Sequence, residues 1–155
     1  MRELPRLEIG EGALLGVDTN LFIYHFEDNP EFGPAASQLL EAAESGRWRL
    51  VASVLSLMEV LVLPKRQGRE ALCQRYRDLF QTFPNLTVLP VGPEVVELAS
   101  DLRAHHRIRT PDALHLATAS FAGAKAFVSQ DSRLPYLTHL PVVRLAELTR
   151  GPYVG

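Results

Sequence analysis

The chain has 155 residues, of which 46% are hydrophobic and 22% are charged, and its formal net charge at pH 7 is -2. This length predicts one domain with a substantial core, and this composition excludes a disordered chain. The small negative charge argues against a protein that holds nucleic acid by overall electrostatic attraction, although a bound cation would neutralise some of the acids.

Localisation is predicted from the ends and the apolar segments of the sequence. No apolar stretch approaches the ~20 residues of a membrane span, and the N-terminus is mixed in charge, unlike a signal peptide. The single cysteine, Cys73, excludes an internal disulfide and suits a reducing compartment. We therefore expect a cytoplasmic protein without membrane contact.

Short apolar runs alternate with amphipathic helices along the chain. The runs predict strands at 14–17, 50–54, 87–91, 126–129 and 142–145. Because they are continuous, they are typical of parallel strands buried on both faces. Helical spacing gives stripes at Ala36, Leu39, Leu40 and Ala43, at Leu72, Tyr76, Leu79, Phe80 and Phe83, and at Val95, Leu98, Ala99 and Leu102. This alternation predicts an α/β fold, a three-layer α/β/α sandwich around a mostly parallel central sheet.

Glu59 is the only acid in an apolar helix predicted at 54–63, which Pro64 is expected to end. A helix that is apolar almost all round is expected to be buried. An unpaired carboxylate is costly in such a place. Because this helix contains no lysine or arginine, Glu59 is expected to need a basic partner from elsewhere or a metal.

Three aspartates stand where a strand ends or a helix begins. Asp18 follows the first predicted strand, where open α/β sheets bind ligands, although it could instead cap the next helix. Thr110 is expected to be an N-cap, with Pro111 at the first helical position and Asp112 in the first turn, where an acid also suits the helix dipole. Asp131 follows the fourth strand in a polar turn, where a solvated acid is common.

Asp18, Glu59, Asp112 and Asp131 predict a cation site if they converge. Two carboxylates ~4 Å apart repel by ~4 kcal/mol at an effective dielectric constant of ~20, and hard oxygen ligands select magnesium or manganese. Such a site most often serves phosphate chemistry. His115, one turn after Asp112, is interpreted as a packed or hydrogen-bonded residue, with a position facing the cleft as the alternative.

Basic residues near these acids have two interpretations. Lys65 and Arg66 follow the apolar helix, and Arg107 and Arg109 precede the helix of Asp112. Each pair is interpreted as a solvated helix end or as a contact to a phosphate backbone. The sequence contains no phosphate-binding glycine loop, no nucleophile elbow and no paired zinc histidines.

Four segments, taken in order, resemble the PIN domain family and, within it, the VapC-type toxins of bacterial toxin–antitoxin pairs. They are Val17-Asp18-Thr19-Asn20, the lone acid Glu59 in its apolar helix, the Thr-Pro-Asp-Ala-Leu-His-Leu-Ala-Thr-Ala segment at 110–119, and Ser129-Gln130-Asp131. The resemblance covers about residues 14–146. It implies a PIN-like nuclease domain at 14–148, between an N-terminal arm at 1–13 and a C-terminal tail at 149–155.

The resemblance also implies a magnesium- or manganese-dependent endoribonuclease that acts on RNA, forms a homodimer and is blocked by a cognate antitoxin. Asp18 and Asp112 would be the principal metal ligands, Glu59 would complete the set, and Asp131 would bind a second metal or orient water. Polar support would come from Thr19, Asn20 and Ser129, and candidate RNA contacts are Lys65, Arg66, Arg107 and Arg109. The sequence departs from the family at Gln130, where the family often has asparagine, and in the arm at 1–13.

Three other classes of function predict different features. A non-catalytic α/β interaction module, binding a partner peptide or RNA, would use the acids as caps, and magnesium would not change its melting temperature. A haloacid dehalogenase-type hydrolase would need an acid two residues after Asp18, where Asn20 stands. A response-regulator receiver would need paired acids after the first strand and a lysine near the last, and neither pattern is evident.

Overall fold

A computed structural model describes residues 9–150, in which the chain forms five strands and seven helices. In chain order these are β1 (Ala13–Val17), α1 (Asn20–Phe26), α2 (Gly33–Glu44), β2 (Trp48–Ser53), α3 (Leu55–Arg66), α4 (Glu70–Thr82), β3 (Leu86–Leu89), α5 (Pro93–His105), α6 (Thr110–Phe121), β4 (Ala126–Val128), β5 (Val142–Val143) and α7 (Leu145–Arg150). All five predicted strands and the three striped helices are therefore present.

The five strands form one sheet in the order β3-β2-β1-β4-β5, and every neighbouring pair is parallel. The central strand β1 pairs with β4 so that Val17 lies opposite Val128. Because parallel strands end at the same edge of a sheet, the residues that follow β1 and β4 are neighbours. The sheet thus brings Asp18 next to Ser129.

Alternate strand residues pack into two separate hydrophobic clusters, one on each face of the sheet. In β1, Leu15 and Val17 belong to the cluster that includes buried residues of α1, α2, α4 and α7. Val51 of β2 and Phe127 of β4 belong to the other cluster, with buried residues of α5 and α6. Two helical layers therefore cover one sheet, which confirms the predicted three-layer α/β/α architecture.

Gly16 allows α6 to pack directly on the central strand. A Cβ atom at Gly16 would lie 2.4 Å from the Cβ of Ala119 in α6 and 2.9 Å from Cδ2 of Phe127. Both distances are shorter than real carbon contacts, so only glycine fits here without displacement. This close approach fixes the position of α6, which carries Asp112 and His115, relative to the end of β1.

Two predicted helix boundaries were wrong. Pro64 does not end its helix, because α3 continues to Arg66 with Pro64 inside it and buried. The helix continues past Pro64 although the missing N–H of this residue leaves one helical carbonyl without its usual donor. Thr110 is not the N-cap of α6 but its first residue, and the N-cap is Arg109.

The prediction that the helix of Glu59 is buried all round was also wrong, because α3 lies at the surface of the sandwich. Only Ser56, Val60 and Pro64 are buried in it. A row of large apolar side chains on the opposite side is exposed: Val54 (42%), Met58 (57%), Val62 (42%) and Leu63 (50%). We call these four residues the α3 apolar face. A helix can thus be apolar on both sides and still bury only one of them.

The described residues include part of the predicted arm and part of the predicted tail. Residues 1–8 of the predicted arm and 151–155 of the predicted tail lie outside the described residues, while β1 begins at Ala13 and α7 extends to Arg150. None of the helices in the described part of the chain combines the length and the apolar character needed to cross a bilayer.

Candidate functional site

Asp18 is the first residue after β1, and both of its carboxylate oxygens accept hydrogen bonds. Oδ1 accepts the backbone N–H of Thr19 at 2.8 Å, and Oδ2 accepts the hydroxyl of Ser129 at 2.7 Å. The Ser129 oxygen in turn accepts the backbone N–H of Asp131 at 3.0 Å. Because α1 begins at Asn20 and has no side-chain cap, Asp18 does not cap that helix. Ser129 links two of the predicted acids instead.

Thr19, the residue after Asp18, and His115 of α6 both form hydrogen bonds with Glu59. The Thr19 hydroxyl donates to Glu59 Oε1 at 3.0 Å and lies 2.8 Å from the hydroxyl of Ser56. His115 Nε2 lies 2.5 Å from the same Glu59 oxygen. An ionised carboxylate only accepts hydrogen bonds, so Nε2 is the donor. The interpretation of His115 as a hydrogen-bonded residue is confirmed, and it supplies Glu59 with a basic partner from α6.

His115 is almost fully buried, and only one of its two ring nitrogens has a hydrogen-bond partner among the described residues. It is 4% exposed, and its Nδ1 atom has no hydrogen-bond partner among the described residues. A buried polar atom without a partner costs free energy. The ring contacts Glu59 through Nε2 and lies one turn from Asp112.

Asp112 and Asp131 are each paired with an arginine. Arg109 Nε donates to Asp112 Oδ2 at 3.1 Å. Arg133 binds Asp131 with two side-chain hydrogen bonds, from Nε to Oδ1 at 3.0 Å and from a terminal nitrogen to Oδ2 at 2.9 Å. The backbone N–H of Arg133 adds a third bond to Oδ1 at 2.9 Å. The sequence analysis did not identify Arg133, although its position two residues after Asp131 in the same turn was a usable signal.

The hydrogen-bond partners of Asp131 and Glu59 shift the pKa of both carboxylates. Hydrogen bonds from Arg133 hold the pKa of Asp131 below its ordinary value, against the opposing effect of burial. Burial alone would raise the pKa of Glu59, but the hydrogen bond and charge of His115, with smaller contributions from Thr19 and Arg109, bring it below its ordinary value. Both carboxylates are therefore ionised at neutral pH, as ligands for a cation must be.

The phenol of Tyr24 lies within electrostatic range of two predicted acids, Asp18 and Asp131. The pKa of Tyr24 is raised, first by burial and then by the charges of Asp18, Glu31 and Asp131. Tyr24 lies in α1 and was not predicted as a site residue. Its shift indicates that the aspartates after β1 and β4 act on one common region.

The structure thus links three of the four acids, and the helix that carries the fourth, without arranging them as a coordination shell. Ser129, Thr19 and His115 connect Asp131, Asp18, Glu59 and the helix that carries Asp112. In the described part of the chain, however, no three acidic, histidine or cysteine side chains are spaced to hold a metal. The donor set still suits a hard cation, because it consists of carboxylate oxygens with hydroxyl groups beside them.

The other predicted residues lie at the surface. Asn20 is the exposed first residue of α1. Lys65 and Arg66 are exposed at the end of α3, and Arg107 is exposed between α5 and α6. Of the four predicted RNA contacts, Arg109 is the one in contact with a predicted acid, Asp112.

Comparisons with known proteins agree on one fold. The family profile described as PIN domain matches residues 16–140, and no curated protein matches the sequence. A toxin–antitoxin complex from Klebsiella pneumoniae is similar at 24% identity and a TM-score of 0.64, covering 86% of this chain and 98% of that chain. VapBC2 from Rickettsia felis, bound to a promoter DNA fragment, is similar at 16% identity and a TM-score of 0.67, covering 84% and 98%. VapC20 from Mycobacterium tuberculosis, a toxin that cleaves the sarcin-ricin loop, is similar at 16% identity and a TM-score of 0.63, covering 77% and 91%.

Proposed function

Because this chain belongs to the PIN domain family, we propose that it is a magnesium- or manganese-dependent endoribonuclease. One observation carries the proposal: Asp18, at the end of the central strand, is connected to two other predicted acids by hydrogen bonds. Ser129 bonds both Asp18 and the backbone of Asp131, and Thr19 bonds both Asp18 and Glu59. Open α/β sheets bind their ligands at this edge. RNA is the proposed substrate because carboxylate-bound cations serve phosphate chemistry.

In this proposal Asp18 and Asp112 hold the cation, Glu59 completes the set, and Asp131 binds a second cation or orients water. A cation bound there would activate water as the nucleophile and offset charge on the phosphate oxygens. Ser129 and the Thr19 N–H orient Asp18, and His115 holds one oxygen of Glu59. The exposed residues Lys65, Arg66, Arg107 and Arg109 then contact the RNA backbone.

Metal dependence gives the direct test of this activity. We expect the purified protein to cleave single-stranded RNA in magnesium or manganese, to stop when excess EDTA removes the metal, and to resume when the metal is restored. Cleavage products are measured on denaturing gels. A parallel preparation of Asp18→Asn controls for a contaminating ribonuclease. Equal cleavage with EDTA would contradict the proposal.

A non-catalytic interaction module remains a second candidate, favoured by the arginine pairs on Asp112 and Asp131 and by the lack of a ready coordination shell in the described residues. The two functions differ in their response to metal. A metal that binds only the folded protein stabilises it by mass action. Magnesium or manganese is therefore expected to raise the melting temperature if the protein is a metal-dependent nuclease, and to leave it unchanged if the protein is an interaction module.

We further propose that the protein is the toxin of a VapBC-type pair in the cytoplasm, with a cognate antitoxin as its partner. Solved structures of similar fold include toxin–antitoxin complexes, which supports this assignment. We also propose that it forms a homodimer through the α3 apolar face. Val54, Met58 and Val62 follow one another at four-residue spacing and are exposed together with Leu63, and a contiguous exposed apolar patch is typical of an interaction surface. Such side chains can pair with the same side chains of a second copy across a two-fold axis.

Charge on the α3 apolar face tests the homodimer. We expect Met58→Glu and Val62→Glu to raise the dissociation constant of the dimer by at least about 100-fold, because each would bury an unpaired carboxylate in the interface. Sedimentation equilibrium measures this constant. Val96→Glu, at an exposed apolar position on α5, is the matched control. Variants that dimerise like the unmodified protein would exclude this interface.

A further inference from the structure

Two guanidinium groups occupy carboxylates that the proposed function assigns to a cation. Arg133 binds both oxygens of Asp131, and Arg109 binds one oxygen of Asp112. Arg109 also lies within electrostatic range of the Glu59 and Asp131 carboxylates, and Asp112 lies within electrostatic range of the Arg133 guanidinium. The two arginines therefore belong to one electrostatic system with the acids, and they offset negative charge that would otherwise be uncompensated.

Both arginine side chains are far more exposed to solvent than the carboxylates that they bind. The Arg109 and Arg133 side chains are 64% and 69% exposed, whereas their carboxylate partners are 17% and 16% exposed. Ion pairs with an exposed cationic partner are weak, because water and salt screen them. A divalent ion carries twice the charge and attracts the same oxygens more strongly. The exposed guanidinium groups, rather than the less exposed carboxylates, are therefore the partners expected to move.

We propose that Arg109 and Arg133 take the place of a divalent cation on Asp112 and Asp131, and that cation binding transfers both arginines to the phosphates of the RNA. This inference rests on the proposed function and adds to it a competition for the carboxylates and one further phosphate-binding residue, Arg133. Arginine suits both roles, since its planar fork of N–H donors matches carboxylates and phosphates alike. Metal and RNA binding are then coupled, because the metal releases the groups that bind RNA.

Metal binding in the absence of RNA tests the first half of the exchange. We expect Arg109→Gln and Arg133→Gln each to lower the dissociation constant for Mn²⁺ about three- to tenfold, because the competing guanidinium is gone. Isothermal titration calorimetry on the full-length protein measures this constant. Arg77→Gln is the matched control, since it breaks an arginine–carboxylate pair with Glu70 on α4 and leaves both site pairs intact, and we expect a change of less than about twofold.

RNA binding tests the second half and distinguishes exchange from a structural role. With saturating Mn²⁺ and a 2′-O-methyl RNA that resists cleavage, we expect Arg109→Gln and Arg133→Gln to weaken RNA binding about three- to tenfold, measured by fluorescence anisotropy. Each substitution thus tightens metal binding and weakens RNA binding. An arginine that only stabilised its loop would not move the two affinities in opposite directions.

The outcomes separate this inference from the proposed function. If the unmodified protein binds Mn²⁺ and Asp18→Asn does not, the metal site stands, and unchanged or weaker Mn²⁺ binding by the arginine variants overturns the exchange. Tighter metal binding with unchanged RNA binding also overturns it, since the released arginines would then not reach phosphate. If the unmodified protein binds no Mn²⁺, the metal site and the exchange both fail.

Discussion

Asp18→Asn is expected to lower the rate of metal-dependent RNA cleavage by at least about 100-fold. The substitution removes a negative charge from the acid at the end of the central strand, while its amide oxygen can still accept the Ser129 hydroxyl or the Thr19 N–H. We therefore expect the free energy of unfolding to change by less than about 1 kcal/mol. Initial cleavage rates and urea denaturation measure the two effects.

A matched control separates the loss of a ligand from a general loss of charge. Asp101→Asn removes an exposed aspartate of α5, which the site does not include, and it is expected to leave the cleavage rate within about twofold. Full activity of Asp18→Asn at equal metal concentration would remove Asp18 from the catalytic centre. Loss of activity together with unfolding would mean that the carboxylate is structural.

Gly16→Ala is expected to destabilise the protein by about 1–3 kcal/mol, because the new methyl group overlaps α6. The Cβ atom would stand 2.4 Å from that of Ala119 and 2.9 Å from a ring carbon of Phe127. Relief of this overlap requires β1 and α6 to separate, which also moves Asp18 away from His115 and Asp112. Urea denaturation measures the stability, and RNA cleavage by the folded fraction measures the consequence for the site.

Two further variants test the cause of this destabilisation. Gly10→Ala has no atom within 4 Å of its new Cβ, so we expect less than about 0.5 kcal/mol of change. Adding Ala119→Gly to Gly16→Ala removes the nearer clash. The double variant should then be more stable than the sum of the two single effects predicts. Additive effects, or a fully stable Gly16→Ala, would show that α6 does not pack as closely as the structure has it.

Local sequence patterns were sufficient for most elements of the fold but not for α7, because the apolar run at 142–145 was predicted as a strand and its last residue, Leu145, begins that helix. A buried parallel strand is recognised from four or five consecutive apolar residues, and an amphipathic helix from its own repeat, so all five strands and the striped helices were predicted. The family resemblance was confirmed by the match over residues 16–140. The positions of Asp18 and Asp131 after β1 and β4 followed from the same patterns, since in a parallel sheet strand ends share one edge.

Contacts between distant residues depend on the assembled tertiary structure. Glu59 and His115 are 56 positions apart, and Asp18 and Ser129 are 111 apart, so no local pattern could pair them. For this reason the sequence showed only that Glu59 has no basic partner within its own helix, and not that His115 supplies one. The exposed side of α3 could not be predicted either, because an apolar residue has the same identity whether or not a neighbour covers it.

The sequence by itself determined the five strands, most of the helices and the acids at their ends, because these depend on residues close together in the chain. Only the tertiary structure decided which side of α3 is covered, which histidine holds Glu59 and which guanidinium groups lie on the two remaining aspartates. Those choices depend on packing distances between separate elements, such as the contact of Gly16 with α6, and such distances exist only once the layers have assembled.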